Sequence, residues 1–418
     1  MMNVLWPHAY YKPEKMSSSK LDSDLERAII DDGNKLIITT PTPTRGCTEE
    51  EKEKYSKIRH ETNDRLEVLR FPLMQEKQGT VQRFVRYIIG NIKQYNISKK
   101  IENVDLVFAD STPPTQGLMA ALLAKKLKVP FVFAIHDVFP DSLVSAGLTD
   151  EGSMIWRIGR WIEKYTYNRA DSIIAISTGI ESNLLNKGVP REKLVVVNNW
   201  IDVEEVFYVP KNKNTLYDEL GLDRNQHYLV YAGNLGHAQN VSLILETAQI
   251  LKDYPEVQFL IFGSGGEEEA IKYSIERQRI NNVRLFPLQP TERVKEVYSL
   301  GDAGLVLCKK GFGTSAMPSK TWSIMATGRP VIASFDLDGE LSKLIQCNSC
   351  GYCCPPDNAE ALAENIKLLF SQRLSEMAEY GSNARRYVEY NCSKETCCKA
   401  YIDIFKSQER RHNLATRI

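Results

Sequence analysis

Short apolar runs recur along this chain, each followed by a longer stretch whose apolar positions repeat at helical spacing. The runs fit strands and the stretches fit amphipathic helices. In the first half the strand-like runs fall at residues 3–9, 35–40, 105–109, 131–136, 172–177 and 194–198. In the second half they fall at 228–232, 258–262, 283–287, 303–307 and 330–334. Strand and helix in alternation predict parallel sheets joined by right-handed crossovers. A polar loop with a serine cluster at 17–19 leads a helix running to Ile30. Residues 47–66 are charged and read as a solvated loop or helix. Residues 210–226, PKNKNTLYDELGLDRNQ, are polar and read as a linker. The expected organisation is two α/β domains, 1–205 and 206–392, whose sheets face each other across a cleft. A last helix, 393–418, packs back on the first.

One helix, 154–168, carries two candidate faces. Ile155, Ile158, Ile162 and Tyr165 recur at helical spacing and form a core face. Trp156, Arg157, Arg160, Trp161 and Lys164 form either a solvated face or an interfacial stripe of indoles and cations.

The chemistry gathers where strands end. YAGNLGHAQN (231–240), FGSGG (262–266) and the stretch from Gly311 through MPSK (317–320) are turns between an apolar strand and a helix. Helix N-termini at such turns bind phosphates through free N–H groups and the helix dipole. Three of them in succession point to a nucleotide pocket. In the first half, His136 closes the apolar run FVFAIH, with Asp137 and Asp141 directly after it. Parallel sheets present functional side chains at that end of a strand.

Composition narrows the function. The chain has 418 residues, enough for two or three domains. Lys+Arg and Asp+Glu balance at 53 each, which argues against nucleic acid as a partner. No stretch reaches the roughly 18 apolar residues of a membrane span, and the N-terminus does not read as a secretory signal. CNSCGYCC, with Cys347, Cys350, Cys353 and Cys354, imitates metal-ligand spacing. It lies between a helix and a turn, where a short buried strand is expected and cysteine serves as a small apolar residue. Asp336 and Asp338 have the spacing of a metal-binding DxD motif but read as loop residues after the strand at 330–334. No cofactor or metal is expected.

Taken in order, these motifs resemble the retaining glycosyltransferases of family four, with the two-Rossmann GT-B fold. The branch they resemble builds bacterial capsule, O-antigen and exopolysaccharide. The resemblance covers nearly the whole chain. It implies a nucleotide-sugar donor, UDP-linked, and a lipid-linked or glycan acceptor. It also implies a cytoplasmic enzyme, with peripheral contact to the inner membrane open. By the same resemblance His136 hydrogen-bonds the donor sugar, while Asp137 or Asp141 holds the loop or the acceptor. Gly233, Asn234, Gln239, Gly263, Gly265, Leu288, Phe312, Gly313, Ser315, Lys320, Ser323 and Glu340 fall at donor-binding positions. Glu340 matches a carboxylate that touches ribose or sugar; alternatively it stabilises the next helix as a first-turn acid.

The chain departs from the wider family at two places. Asn234 and Gln239 stand where many members carry an Arg and a Lys, and Ser315 and Ser323 replace both carboxylates of the Glu-x7-Glu motif. Lys320, N–H groups of the 311–315 loop and the helix start after Pro318 would then have to stabilise the leaving diphosphate. Rival readings are a catalytically silent nucleotide-sugar-binding subunit and a sugar-nucleotide epimerase of the same fold. A dinucleotide oxidoreductase is weaker, because no G-x-G-x-x-G follows the first strand.

Overall fold

The computed structural model describes all residues except 17, 77–78, 146, 314–316 and 416–418. The chain forms two compact units. Unit 1 comprises Met1–Asn198 with Cys398–Ile418, and unit 2 comprises Asn199–Cys397.

Unit 1 carries strands β1 (Asn3–Pro7), β2 (Lys35–Pro41), β3 (His60–Asn63), β4 (Leu66–Phe71), β5 (Leu106–Asp110), β6 (Phe131–Ile135), β7 (Ser172–Ala175) and β8 (Leu194–Val196). Their order in the sheet is β3-β4-β2-β1-β5-β6-β7-β8. All pairs are parallel except β3–β4. The hairpin β3–β4 replaces part of the solvated segment expected at 47–66. Its first strand, HETN, has no apolar face, so only pairing with β4 reveals it. A helix Glu49–Ser56 precedes it, closed by a capping box in which Thr48 and Glu51 satisfy each other's N–H groups. The last helix, Lys394–Ala415, returns to unit 1, where Tyr401 and Phe405 pack on Phe108 at 5.8 and 5.1 Å.

Unit 2 carries β9 (His227–Asn234), β10 (Val257–Ser264), β11 (Val283–Phe286), β12 (Ala303–Leu307), β13 (Val331–Ser334) and β14 (Gly351–Cys354). All are parallel, in the order β11-β10-β9-β12-β13-β14. Alternation along β9 sends Tyr228 and Val230 to one core and Leu229 and Tyr231 to the other. Both faces are covered, as a parallel sheet requires. In both units chain order reverses at one place, between β1 and β5 and between β9 and β12. Such switch points open a crevice beyond the strand ends.

Two expectations are corrected. The polar stretch at 210–226 is not a free linker: Leu216 and Tyr217 are 1% and 0% exposed and belong to the unit 2 core. Asn214 pins it by donating to Glu296 O at 2.8 Å. In the helix Met154–Arg169, Ile155 and Ile158 are exposed, while Gly159, Ile162, Glu163, Thr166 and Tyr167 are buried. Gly159 decides the rotation, because a side chain there would meet Pro140 at 2.8 Å. Only that face can approach the Phe139–Pro140 turn. Trp156 is half-buried, with the Arg160 guanidinium over its ring at 5.8 Å.

The cysteine run forms β14 and its flanks. Burial pushes Cys350 and Cys353 up to about 12 and Cys354 up to about 11, so their thiols stay protonated. Among the described residues no group of three His, Cys, Asp or Glu is placed to hold a metal ion.

Candidate functional site

At the switch point of unit 2, β9 and β10 end in register, with Gly233 opposite Gly263 and Asn234 opposite Ser264. A side chain on Gly263 would strike Gly233 O at 2.5 Å. One on Gly265, whose φ is +154°, would strike Leu235 O at 2.6 Å. These turns need glycine to lie against each other. Asn234 Nδ2 reaches Gln239 Oε1 at 3.4 Å across the same ledge. The N–H groups of Gly236, Gly265 and Gly266 donate to no acceptor among the described residues. Successive unused N–H groups in a turn form a concavity that suits an anion.

Lys320 reaches the ledge from the first turn of the helix Lys320–Ala326. Its Nζ lies 3.7 Å from the centre of the Tyr231 ring. A side chain on Gly233 would come within 3.1 Å of that nitrogen. The residue as a whole is partly exposed, yet Nζ itself is buried and has no hydrogen-bond partner among the described residues. Burial lowers this ammonium to about 7, with the Cys308 thiol pulling weakly the other way. Tyr231 is held beneath it by donating to Asn234 O at 2.7 Å.

Other expected donor residues divide. Gly313 lies under Phe335, where a side chain would meet the ring at 2.6 Å, and Phe312 beside it is exposed. Ser323 is half-buried one turn beyond Lys320. Glu340 opens the helix Glu340–Cys347, a first-turn position where a carboxylate offsets the dipole. Leu288 lies exposed beyond β11, two strands away from β9. Ser315 lies outside the described residues. The 311–313 part of the loop does not turn its N–H groups outward as expected. Gly311 and Gly313 donate to Asp336 at 3.0 and 2.9 Å, and Phe312 donates to Lys309 O at 3.1 Å. Asp336, at the end of the adjacent β13, ties this loop down.

Unit 1 gathers a second cluster. The register of β1 on β5 and of β5 on β6 brings His8, Asp110 and His136 to one end of the sheet, beside the β1/β5 switch point. The His136 and Asp137 N–H groups donate to Ser111 Oγ at 3.0 and 3.2 Å. Burial lowers the His136 imidazole, against the opposing charge of Asp110. His8 is lowered by burial to about 4, again against Asp110, and its Nε2 has no partner among the described residues. Asp22, on the helix Ser19–Asp31, is raised to about 7 by burial and by Asp110. Thus the carboxylate acting on His136 is Asp110, not the acids that follow it in sequence. Asp137 is exposed. Asp141 is engaged elsewhere, accepting from Lys187 Nζ at 2.9 Å and Asn183 Nδ2 at 3.0 Å, which holds the loop.

Asp110 and Asp22 carried signals that the sequence reading passed over. Asp110 ends VFAD, a strand terminus equivalent to that of His136. Asp22 stands at helical spacing with the buried Leu25, Glu26 and Ile29, an acid on an inward face.

Comparison with known proteins agrees with this geometry. The model for "Glycosyl transferases group 1" matches residues 212–387, and that for "Glycosyltransferase Family 4" matches residues 23–205. The chain is similar to WcaI of Escherichia coli, a glycosyl transferase assigned to colanic acid biosynthesis, at 27% identity over 68% of this chain and 69% of that protein. It is also similar to the N,N'-diacetylbacillosaminyl-diphospho-undecaprenol alpha-1,3-N-acetylgalactosaminyltransferase of Campylobacter jejuni, at 23% identity over 75% of this chain and 81% of that protein. The crystal structure of Anabaena HepE with UDP superposes with a TM-score of 0.72 at 16% identity, covering 97% of this chain and all of that one. Two parallel α/β units with glycine-lined strand ends and a family match over each unit lead to one assignment: the chain belongs to the family-four glycosyltransferases of the GT-B fold.

Proposed function

We propose that this glycosyltransferase moves a hexose or amino sugar from a UDP-linked donor to a hydroxyl of a lipid-linked or glycan acceptor, with retention of configuration, in bacterial surface polysaccharide assembly. The observation that carries the donor half is the buried Lys320 Nζ beside the glycine ledge, a nitrogen with no partner among the described residues. A buried ammonium without an acceptor is costly, and a diphosphate would supply the missing charge. The N–H groups of Gly236, Gly265 and Gly266, which have no acceptor among the described residues, supply further donors. UDP in the HepE structure and the diphospho-undecaprenol acceptor in the Campylobacter relative's name support the same reading.

In the reaction the bond between the anomeric carbon and the diphosphate oxygen breaks as the acceptor oxygen bonds to that carbon from the same face. The acceptor proton passes to a diphosphate oxygen. Lys320 stabilises the charge that grows on the leaving group. His136, held neutral by burial, accepts a hydrogen bond from a sugar hydroxyl; a neutral imidazole suits a ring gaining positive charge. No metal takes part in this scheme. The enzyme would act at the cytoplasmic face of the inner membrane. No helix among the described residues is long and apolar enough to cross one.

Release of nucleotide from a panel of UDP-, GDP- and dTDP-sugars, with and without a lipid extract as acceptor, tests the proposal. Acceptor-dependent release of UDP is the expected result. Turnover only of another nucleotide class would overturn the donor assignment.

A further inference from the structure

The Met154–Arg169 helix is one of three neighbours on one face of unit 1. The helices Thr80–Ser98, Gln116–Leu127 and Met154–Arg169 connect β4 to β5, β5 to β6 and β6 to β7. All three crossovers advance in the same direction across the sheet, so right-handedness puts them on the same side. The middle helix packs against both others.

Their outer surface is apolar where a solvated protein would be polar. Phe84 and Ile88 on the first helix, Leu122 on the second, and Ile155, Ile158 and Trp161 on the third are exposed, Trp161 by 61% and Ile155 by 57%. Large apolar side chains exposed together on neighbouring helices mark an interaction site. The placement along each helix adds a direction. Crossover helices run opposite to their parallel strands, so their first turns lie at the strand carboxyl ends. Phe84, Ile155 and Ile158 occupy first or second turns, and Ile88 opens the third. The apolar band therefore lies at the end of the sheet that carries His8, Asp110 and His136.

Charge selects the partner. The three helices contain nine Lys and Arg and a single acid, Glu163, in a chain with no net charge. Glu163 is buried and paired with Lys187 at 2.5 Å. Lys125, Lys126, Arg157 and Lys164 are exposed and form no ion pair among the described residues. The exposed acids Asp150 and Glu151 lie in the loop ahead of the third helix, and Asp137 is exposed just after β6. Apolar side chains flanked by unpaired cations match the boundary layer of an anionic bilayer, where indole burial and headgroup attraction act together.

We propose that this three-helix face of unit 1 docks on an anionic lipid bilayer. It holds the His136 end of the sheet at the membrane surface, where a lipid-linked sugar would present its hydroxyl. That purpose rests on the acceptor reading above; the docking itself is measured separately.

The full-length protein is floated with vesicles of phosphatidylglycerol and phosphatidylethanolamine, and with phosphatidylcholine alone. Wild type should partition to the anionic vesicles and be released by high salt. Phe84→Ser/Ile88→Ser/Trp161→Ser and Arg157→Glu/Lys164→Glu should each lower the partition coefficient by about tenfold or more. Unchanged UDP affinity and melting temperature in both variants would show that the fold stands. No partitioning of wild type, or equal partitioning of all three proteins, would overturn the proposal. So would lipid-free self-association of wild type that the serine variant abolishes, since the face would then serve a second copy. Failure of every nucleotide to bind, with partitioning intact, would instead strike the donor reading alone.

Discussion

Lys320 offers the sharpest test because its predicament is electrostatic and has a sign. Its ordinary value of 10.5 is lowered by burial to about 7. At about 1.4 kcal/mol per unit, this is a bias of roughly 5 kcal/mol against the charged form in the empty site. Between about pH 7 and 10.5 the folded protein then binds fewer protons than the unfolded chain. Its stability therefore rises with pH across that window, and the penalty is fullest below pH 7. A diphosphate against Nζ removes the penalty and returns the group toward its ordinary value. At pH 8 about nine-tenths of the empty protein carries a neutral Lys320, so binding should take up about 0.9 proton. UDP affinity should fall about tenfold per pH unit above 7, and Lys320→Met should lose that slope. UDP is itself fully ionised near pH 8 and adds no proton of its own. Calorimetric titrations at pH 8, in buffers of differing ionisation enthalpy, read the uptake from the slope of observed heat. A slope near zero in wild type, or an unaltered slope in Lys320→Met, would refute the assignment of Lys320 to the phosphates.

Three further outcomes are expected. His136→Ala should bind UDP as wild type does yet turn over at least about tenfold more slowly, because the contact strengthens only as the sugar develops charge; wild-type turnover in a well-folded variant would reduce His136 to a strand-end residue. Activity should survive excess chelator, since Asp336 is committed to the N–H groups of Gly311 and Gly313; loss on chelation with rescue by manganese or magnesium would restore a metal role. Gly265→Ala places a side chain 2.6 Å from Leu235 O at a φ of +154°, so a drop in stability of about 1–3 kcal/mol and weakened UDP binding should appear together in thermal melts with and without nucleotide. An unchanged melt would mean that the ledge relaxes freely.

Most of the fold was legible because buried parallel strands are near-continuous apolar runs, and all eleven expected runs lie on strands of the two sheets. The errors share one cause: local polarity reports composition, whereas burial is decided by partners. The stretch at 210–226 is polar on average, yet two side chains, Leu216 and Tyr217, anchor it in a core. The edge strand His60–Asn63 has no apolar face and exists through pairing. In the Met154–Arg169 helix, periodicity offered Ile155 and Ile158 to the core, but Gly159 set the rotation through its contact with Pro140. At the donor end, Gly233, Gly263 and Gly265 were readable as turns, and Lys320 from its place at a helix start. The convergence of His8, Asp22 and His136 on Asp110 was not, because it depends on strand order. Residues a hundred positions apart meet only once β1 is known to lie beside β5.

That dependence on topology also bears on how one cation can replace several. Where many relatives of this fold carry an Arg and a Lys, this chain has Asn234 and Gln239, which hydrogen-bond to each other across the ledge. Two exposed cations would be screened by water and salt, and each would add little to the binding of a diphosphate. Lys320 is placed differently, with its nitrogen over the Tyr231 ring and away from water. The same burial that makes its charge unfavourable in the empty site lowers the local dielectric when an anion arrives, so a single contact interacts more strongly there than at the surface. Neutral Asn234 and Gln239 then add donors without raising the repulsion that a second buried cation would impose on Lys320. The substitution pattern is thus consistent as a set. Restoring an arginine by Asn234→Arg should weaken UDP binding, because the new charge would push the Lys320 ammonium further toward its neutral form. Tighter binding in that variant would show that the ledge is solvated and that burial of Lys320 is not what its chemistry depends on.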